Sequence, residues 1–392
     1  MTIVLYIFAY TLINIYLFRK VKKSIDNDVK NHNLKVFIYF ILLILFVSPA
    51  VNAFLRSSDL EKISHAISFF YISVLTYTSV IAIVSDIVKL IINKVLKKDK
   101  SIFETKKYRY ISAVISILFI SSCVSYGIAH YSKITVKSYS AVINKECNIK
   151  NLKIALVADF HLGYTIGYEM MEEMAEKINN ENPDIVLIAG DIFDNSAIAV
   201  DDFGKCTEAL ASIKSKYGTY AIFGNHDVKE KLLFGFSIEE FKSDYRDERM
   251  ETMLNNAGIT ILDDKVTLID NSIYIIGRKD YSKPGFGSEK RKSLDELITD
   301  VDFSKPVIIL EHEPKELEIA ASYGVDMHLA GHTHAGQFFP LTLAVQLVYK
   351  NAYGIKDING MTSIVTSGVG LYGPQIRVGT NSEITMINLS FK

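Results

Sequence analysis

Residues 330–337 read Ala-Gly-His-Thr-His-Ala-Gly-Gln, with two histidines one residue apart between glycines. The apolar run 326–330 precedes them, so the pattern predicts a strand that ends in a glycine-rich turn. Side chains at positions i and i+2 of extended backbone point the same way, which lets His332 and His334 reach one site. Imidazole is the commonest metal ligand in proteins. An isolated pair of this kind is equally well explained as two exposed loop histidines, and the rest of the chain distinguishes these explanations.

The composition of the chain separates two regions. The 392 residues leave room for two or three domains, and the formal net charge of -1 gives no reason to expect nucleic acid as a partner. Most of the long apolar runs lie before residue 130, whereas the remainder has the composition of a soluble α/β protein. Cys123 lies inside an apolar run, so the three cysteines allow one bridge, Cys147 to Cys206, or none.

Four apolar runs predict an N-terminal all-α transmembrane domain over residues 1–131. The predicted spans are 1–18, 36–54, 64–88 and 110–129. Runs of this length suit helices that cross a hydrocarbon core of ~30 Å. Basic residues follow the first run, and no small-residue cleavage site is present, so a cleaved signal peptide is not expected. We therefore expect a multi-pass cell-membrane protein in contact with membrane lipids.

The charges of the loops between these runs predict the orientation of the protein. The loops at 19–35 and 89–109 are rich in Lys and Arg, whereas the short second loop is nearly neutral. Basic loops stay in the cytoplasm, so the domain that follows the fourth span is expected outside it. A different number of spans is the alternative that would change this orientation.

A short-period pattern replaces the apolar runs after residue 131. Residues 132–150 are predicted to be a polar connector, and 151–392 an α/β domain in which short apolar strands alternate with helices. The charged segment 228–256 is predicted to be a solvated helix. Several strands run directly into polar clusters, and ligands of α/β folds collect beyond the carboxyl ends of the strands.

The residues at these strand ends form one candidate site. They are Asp159, His161, Asp191, Asn225, His226, His312, His332 and His334. Carboxylate, amide oxygen and imidazole suit Mn, Fe, Zn or Mg. The residues are too many for one ion, and a bridging carboxylate permits two divalent metal ions. A histidine beside the ions, such as His226, can protonate a leaving oxygen.

Five motifs occur in order along the domain: Asp-x-His, Gly-Asp-x-x-Asp, Gly-Asn-His-Asp, a single His after the next strand, and Gly-His-Thr-His. This series resembles the calcineurin-like metallophosphoesterase superfamily. The following Gly-Gln resembles its membrane-associated branch, whose last motif reads Gly-His-Thr-His-Gly-Gly-Gln, although Ala335 stands where that branch has glycine. The resemblance covers residues 150–392 and implies two mixed β-sheets sandwiched between helices.

The resemblance also implies a role for each position. It assigns the first metal to Asp159, His161 and His334, the second to Asn225, His312 and His332, and the bridge to Asp191. It implies that His226 acts on the leaving group or the phosphoryl oxygens, with Asp227 orienting it. Asp194 is expected to be structural and Gln337 to orient the loop. Arg377 either meets a substrate phosphate or forms a structural ion pair, and His328 belongs to the core.

Together these features predict a membrane-anchored metal-dependent phosphoric ester hydrolase. By the resemblance, a metal-activated water attacks a phosphodiester, pyrophosphate or phosphomonoester. Membrane tethering favours a lipid-linked or cell-envelope substrate. One alternative is a membrane sensor or scaffold with a metal-binding but non-catalytic outer domain. Another is a transporter gated by that domain, which the lack of charge pairs buried within the spans disfavours. The substrate, the native metals and the oligomeric state stay open.

Overall fold

The computed structural model describes residues 2–55, 58–95, 103, 105–194, 197–229, 232–233, 236–237, 246–283 and 290–392. The chain divides into two compact units. The first, here the helical unit, contains Met1–Ile128, Lys231–Ile238 and Gly373–Gln375. The second, here the α/β unit, contains Ala129–Glu230, Glu239–Tyr372 and Ile376–Lys392.

Four long helices dominate the N-terminal part. They are α1 (Thr2–Asp28), α2 (His32–Phe54), α3 (Ser58–Lys94) and α4 (Lys106–Tyr131). Each is long and apolar enough to cross a membrane. All four helices extend beyond the predicted spans, because polar residues at their ends continue the helical hydrogen bonding past the apolar run. Most of their large apolar side chains are exposed, as expected for helices that face lipid rather than water.

Ion pairs connect the helices of this unit near their ends. Nη2 of Arg109, in the first turn of α4, lies 2.8 Å from Oδ1 of Asp28, the last residue of α1. Lys20 of α1 pairs with Asp86 of α3 at 2.5 Å, and both side chains are partly exposed. Lys20 lies beyond the predicted first span, so this pair belongs to the helix ends. The end of α1 and the start of α4 therefore lie at the same end of the helical unit.

Fourteen strands and six further α-helices follow α4 in the described part of the chain. The strands are β1 (Ile134–Ile143), β2 (Asn151–Val157), β3 (Ile185–Ala189), β4 (Thr219–Ile222), β5 (Leu232–Leu233), β6 (Phe236–Ser237), β7 (Thr260–Ile261), β8 (Lys265–Ile269), β9 (Ile273–Gly277), β10 (Val307–Leu310), β11 (Met327–Ala330), β12 (Gly354–Ile358), β13 (Met361–Val365) and β14 (Ser382–Phe391). The helices are α5 (Tyr168–Glu181), α6 (Phe203–Ala211), α7 (Glu248–Asn256), α8 (Leu294–Leu297), α9 (Leu317–Ser322) and α10 (Leu341–Val348).

Two six-stranded mixed sheets form the α/β unit. The first sheet has the order β1-β14-β2-β3-β4-β7, in which β14 and β2 are antiparallel and the other pairs are parallel. The second has the order β12-β13-β11-β10-β9-β8, with parallel strands in the centre and an antiparallel strand at each edge. Parallel strands need crossover connections, and helices supply most of them here.

The cores of the α/β unit lie between these layers. Leu156 and Leu187 of the first sheet share one buried cluster with Ile308 and Leu329 of the second. A second cluster packs α5 and α6 against the other face of the first sheet, and a third packs α8 and α9 against the second sheet. The predicted fold, two mixed sheets sandwiched between helices after four apolar helices, is therefore confirmed.

The segment predicted to be a connector has a different role. Residues 134–143 form β1, which pairs with β14 in parallel along its whole length, from Ile134 opposite Ser382 to Ile143 opposite Phe391. The alternation of its side chains was visible in the sequence. Its partner lies about 250 residues further along the chain, so the pairing was not. The prediction of a connector over 132–150 was wrong because β1 belongs to the first sheet.

Two further sequence predictions are corrected or settled by the described residues. The helix predicted over 228–256 begins only at Glu248, while β5 and β6 pair as a short antiparallel ladder within the helical unit. The rest of 230–245 lies outside the described residues. All three cysteines are free, so Cys147 and Cys206 form no bridge.

Candidate metal centre

The candidate ligands lie where parallel strands of the two sheets end. Asp159 and His161 follow β2, and Asp191 follows β3. His312 follows β10 of the second sheet, and the pair His332 and His334 follows β11. Asn225 follows β4, so five strand ends contribute to the cluster. The two sheets meet here because the Nδ1 atom of His312 lies 2.7 Å from the carbonyl of Ala189, at the end of β3. Within the second sheet, Gly331 donates its backbone N–H to the carbonyl of His312.

A first ligand cluster consists of Asp159, His161 and His334. All three are buried, and one ligand atom from each lies within 4.8 Å of the others. The Nε2 atoms of the two histidines are 3.1 Å apart, and Nε2 of His334 is 3.7 Å from Oδ1 of Asp159. Converging imidazole nitrogens and a carboxylate oxygen form a donor set that suits a divalent cation.

A second ligand cluster consists of Asp191, His312 and His332. Nε2 of His312 lies 3.0 Å from Oδ2 of Asp191 and 3.2 Å from Nδ1 of His332. The side-chain oxygen of Asn225 completes the cluster, at 2.9 Å from Nδ1 of His332 and 3.0 Å from Nε2 of His312. These atoms also converge as the donors of a cation site would.

Contacts on the far side of the rings favour this use of the histidines. Nδ1 of His312 donates to the carbonyl of Ala189, so a cation that displaces the proton of Nε2 would take up the lone pair of that atom. The hydroxyl oxygen of Tyr349 lies 2.9 Å from Nε2 of His332, where it can accept the ring N–H and leave Nδ1 facing the cluster. The second cluster thus fits a metal in both donor chemistry and ring orientation.

Backbone strain is concentrated at the same residues. Asp159, His161, Asp191, His332 and His334 all have positive φ angles, of 57°, 50°, 51°, 71° and 49°. Residues other than glycine rarely adopt this left-handed conformation. Such strain persists where the surrounding structure holds it, and it is common at functional sites. Here it lets the chain turn sharply beyond each strand and direct its side chains inward.

Glycine is required where the backbone approaches the ligands. A Cβ atom on Gly224 would lie 2.3 Å from Oδ1 of Asp191, and one on Gly331 would lie 2.7 Å from Oδ2 of Asp159. No real side chain fits at such distances, so both positions must remain glycine for the clusters to keep their shape.

Burial and charge together set the protonation of the ligands. Burial raises the pKa of Asp159 to about 7 and lowers the pKa of His161 to about 4. Burial alone would raise the pKa of Asp191, but the nearby His312 and His226 hold it well below its ordinary value. Burial disfavours the charged form of His312, and the carboxylate of Asp191 favours it. The balance favours the charged form, so the pKa of His312 is raised well above its usual range. The site therefore stabilises positive charge next to Asp191.

Comparison with known proteins relates part of the chain to a known family. Residues 152–336 match the family of calcineurin-like phosphoesterases. These residues belong to the calcineurin-like phosphoesterase family. The matched segment contains every candidate ligand, and it ends at Gly336, within the stretch that carries His332 and His334.

Similar proteins include metallophosphoesterases of bacteria and animals, and some of them are named as transmembrane proteins. An uncharacterized metallophosphoesterase of Campylobacter jejuni is 28% identical over 397 residues, covering 100% of this chain and 98% of the relative. A transmembrane protein with metallophosphoesterase domain from Danio rerio is 31% identical over 256 residues, covering 62% of this chain and 54% of that protein. Phosphodiesterase YaeI of Escherichia coli is 27% identical, covering 62% of this chain and 83% of the relative.

His226 lies beside the two clusters of the phosphoesterase domain rather than within either of them. Its backbone N–H donates to Oδ1 of Asp191 at 2.7 Å. Its ring centroid is 5.2 Å from that of His161 and 4.3 Å from that of Tyr372. Burial holds the pKa of His226 well below its ordinary value. The imidazole is therefore neutral at neutral pH, with its ring held next to the candidate ligands.

Asp227 anchors the loop that carries His226. Its Oδ2 accepts from the N–H of Gly224 at 2.6 Å, and its Oδ1 accepts from the N–H of Phe193 at 2.8 Å. Both carboxylate oxygens are thus used to fix the backbone around Asn225 and His226. The orienting role that the resemblance implies for Asp227 therefore stays a prediction, and this anchoring of the backbone supports it.

The predicted contact of Arg377 with a substrate phosphate does not agree with the position of its side chain. The predicted phosphate contact requires an accessible guanidinium, but this side chain is completely buried. Its Nη2 atom donates to the carbonyls of Ser367, Gly368 and Gly370 at 2.8, 3.1 and 2.7 Å. Arg377 therefore holds the chain that follows β13 and does not face a substrate.

Three other residues named in the sequence analysis have contacts that bear on their expected roles. Asp194 has Oδ1 3.9 Å from Nδ1 of His161, outside either ligand cluster. Oε1 of Gln337 accepts from the N–H of Tyr372, which ties the turn after His334 to the C-terminal segment. His328 is buried in β11, with Nε2 3.2 Å from Oε2 of Glu311.

Two tyrosines near the site were not found from the sequence. Tyr349 contacts His332 and lies 17 residues after it, and Tyr372 packs on His226. Neither belongs to a motif or to a strand end. Their positions follow from the path of the chain after the last motif, for which the sequence holds no local signal.

Proposed function

We propose that this protein is a membrane-anchored dimetal phosphoesterase that hydrolyses a phosphodiester, pyrophosphate or phosphomonoester. The observation that carries the proposal is the position of Asp191. Its Oδ2 lies 3.0 Å from Nε2 of His312 in one cluster and 3.7 Å from Nε2 of His161 in the other. A carboxylate between two histidine clusters is the arrangement in which one residue can serve two cations.

The residues present would hold two divalent cations in separate ligand sets. Asp159, His161 and His334 would bind one, and His312, His332 and Asn225 the other, with Asp191 shared. When bound, such ions activate water as a nucleophile and neutralise charge that develops on a phosphoryl group. Mn, Fe, Zn and Mg all remain candidates for these donors.

His226 supplies the chemistry that comes from the protein itself. Its ring lies outside both ligand sets and beside them, where it can act on the leaving oxygen or on a phosphoryl oxygen of a bound substrate. Burial keeps its imidazole neutral, and the negative charge of a phosphoester would favour its protonated form. Asp227 supports this role indirectly, by fixing the backbone on which His226 lies.

The membrane helices support a substrate held at a membrane surface. Chemically, this is a lipid-linked or cell-envelope phosphoester, with the phosphoesterase domain on the extracytoplasmic side. The contact between Arg109 and Asp28 supports that orientation because it brings the two basic loops, the first and the third, to the same end of the helices. A single topology then keeps both loops in the cytoplasm.

A sensor or scaffold with a non-catalytic metal domain is the alternative. The complete ligand sets argue against it, because an unused site has no reason to keep five left-handed ligands and the glycines around them.

The test uses the full-length protein in nanodiscs, with bis(p-nitrophenyl) phosphate as the probe. We expect turnover when Mn²⁺ is added and none after chelation, and the Asp191→Asn variant should be inactive. Tight binding of two metal ions without turnover of this probe or of a phosphomonoester would favour the scaffold alternative.

Sidedness requires a separate experiment. A cysteine placed at exposed Glu251 of α7, in a variant lacking Cys147 and Cys206, should react with a membrane-impermeant thiol reagent in intact cells. Labelling seen only after the cells are broken would place the domain in the cytoplasm and remove the envelope substrate.

A further inference from the structure

The helix α10 has an unusual surface for an α/β domain. Its eight residues are Leu-Thr-Leu-Ala-Val-Gln-Leu-Val, none of them charged and none of them buried. Leu343, Leu347 and Val348 are 56%, 89% and 74% exposed. Thr342 and Val345 are the less exposed residues of the helix. A helix on the surface of a soluble domain normally turns its apolar stripe inward, and α10 turns it outward.

The outward face is contiguous. At 100° per residue, Leu343, Ala344 and Leu347 fall on the side opposite Thr342 and Val345, and Val348 lies at the edge of that side, next to Ala344. Leu341 and Phe339, just before them, are each 45% exposed. Large exposed apolar patches mark surfaces that contact a membrane or a partner.

We propose that α10 lies in the interfacial region of the lipid bilayer, with its outward face among the lipid acyl chains. This inference rests on the membrane anchoring in the proposed function. Only Ser132 and Lys133 separate the end of α4 from the start of β1. Three Cα steps span at most about 11 Å, so the α/β unit begins close to a membrane-capable helix. A bilayer is therefore the apolar phase most accessible to α10.

The ends of the helix also carry features typical of the interface. Tyr349 follows the helix, and tyrosine is enriched at the level of the lipid headgroups. Exposed Lys350, which pairs with Glu318, comes next, and Lys356 lies on the exposed side of β12. Basic residues beside an apolar helix favour contact with anionic headgroups.

Both ends of α10 are connected to the candidate metal centre. At its start, a Cβ atom on Gly336 would lie 2.5 Å from Cα of Thr342, so the helix packs directly on the turn that carries His334. Just after its end, the hydroxyl of Tyr349 contacts His332. A helix that lies in the interface would therefore hold the two clusters near the headgroups, where a lipid-linked phosphoester presents its phosphate.

The experiment uses tryptophan fluorescence, because the chain contains no tryptophan. Leu347→Trp is prepared in the full-length protein and placed in nanodiscs of phosphatidylcholine with and without brominated acyl chains. Phe119→Trp, at an exposed position of α4, is the control for a residue in the membrane. Glu176→Trp, at an exposed position of α5, is the control for a residue in water.

We expect the Leu347→Trp emission to shift to the blue and to be quenched by brominated lipid to at least half the extent seen for Phe119→Trp. Glu176→Trp should instead be quenched by iodide. Val348→Trp provides a second exposed position, at the edge of the same face, and should behave as Leu347→Trp does. Both substituted side chains are largely exposed, so the fold should tolerate the change.

Two results would overturn the inference. Quenching of Leu347→Trp by iodide alone would place α10 in water, and protection from both quenchers would show that a protein surface covers it. Neither result depends on turnover, so the phosphoesterase proposal is judged separately. Absence of lipid quenching for Phe119→Trp would instead contradict the membrane anchoring itself.

Discussion

The Oδ2 oxygen of Asp191 lies 3.0 Å from the Nε2 nitrogen of His312. These two residues come from the ends of β3 and β10, in different sheets, and they are 121 positions apart in the chain. The contact therefore links the two halves of the sandwich at the candidate metal centre, and the acid faces both ligand clusters.

Removing the charge of Asp191 should weaken metal binding in both clusters. In Asp191→Asn the amide offers a weaker ligand to both ions, and we expect the bound metal to fall from two ions to at most one and turnover to be lost. Metal analysis of the purified protein measures the stoichiometry. Asp300→Asn, an equal charge change at an exposed loop position, should retain both ions. Two ions at full occupancy in Asp191→Asn would exclude the bridging assignment.

His226→Ala should separate catalysis from metal binding. Because His226 is outside both ligand clusters, the variant should keep its metals. Turnover of an alkyl phosphoester should fall by ~10²–10⁴-fold, the usual range for general acid–base catalysis. The loss should be smaller for nitrophenol esters, which need little protonation of the leaving group. An equal loss for both classes would assign His226 to the phosphoryl oxygens instead.

Tyr349→Phe should weaken the second metal. The change removes the hydroxyl that orients His332 and keeps the ring. Loss of such an orienting contact typically costs ~10–100-fold in metal affinity, and titration with Mn²⁺ should show this loss for one of two ions. In Tyr353→Phe the hydroxyl removed contacts Glu383, so both affinities should be unchanged. Equal affinities in Tyr349→Phe and the parent protein would contradict the orienting role.

Metal binding by the first cluster should depend on pH. Burial raises the pKa of Asp159 to about 7, so the folded metal-free protein keeps this acid partly protonated at neutral pH. A cation must displace that proton, so affinity should increase as the pH rises through 7 and protons should be released on binding. His161, with its pKa lowered to about 4 by burial, is already neutral and adds nothing to this trend. Calorimetry in two buffers of different ionisation heat measures the protons, and binding independent of pH would refute the expectation.

Ala335→Gly should stabilise the protein. Ala335 has φ 51° and ψ 24°, a left-handed conformation that costs an L-residue about 1–2 kcal/mol. Glycine removes this cost, but it makes the unfolded chain more flexible, which lowers the free energy of unfolding by about 0.4–1 kcal/mol. The balance predicts a small rise in Tm of roughly 1–3 °C. Ala344→Gly, in the regular helix α10, should lower the Tm instead. A lower Tm for Ala335→Gly would show that its methyl group makes packing contacts worth more than the strain.

The amino-acid sequence by itself determined the features that depend on neighbouring residues. Apolar runs longer than a bilayer is thick are a local property, so the four helices were visible in composition alone. Short buried strands that end in Asp, Asn or His are also local. Since parallel strands end at a common edge, the candidate ligands of the site were predictable residue by residue.

Only the tertiary structure decided which distant segments meet. The pairing of β1 with β14, the contact of Tyr349 with His332 and the burial of Arg377 join segments that no local pattern relates. The N–H of Phe193, 34 residues before it in the chain, reaches the carboxylate of Asp227 in the same way. The apolar sequence of α10 was equally consistent with a core helix, and it became a surface feature only because the sandwich fills its cores with other side chains. Which face of an apolar segment is covered depends on the packing of the whole domain.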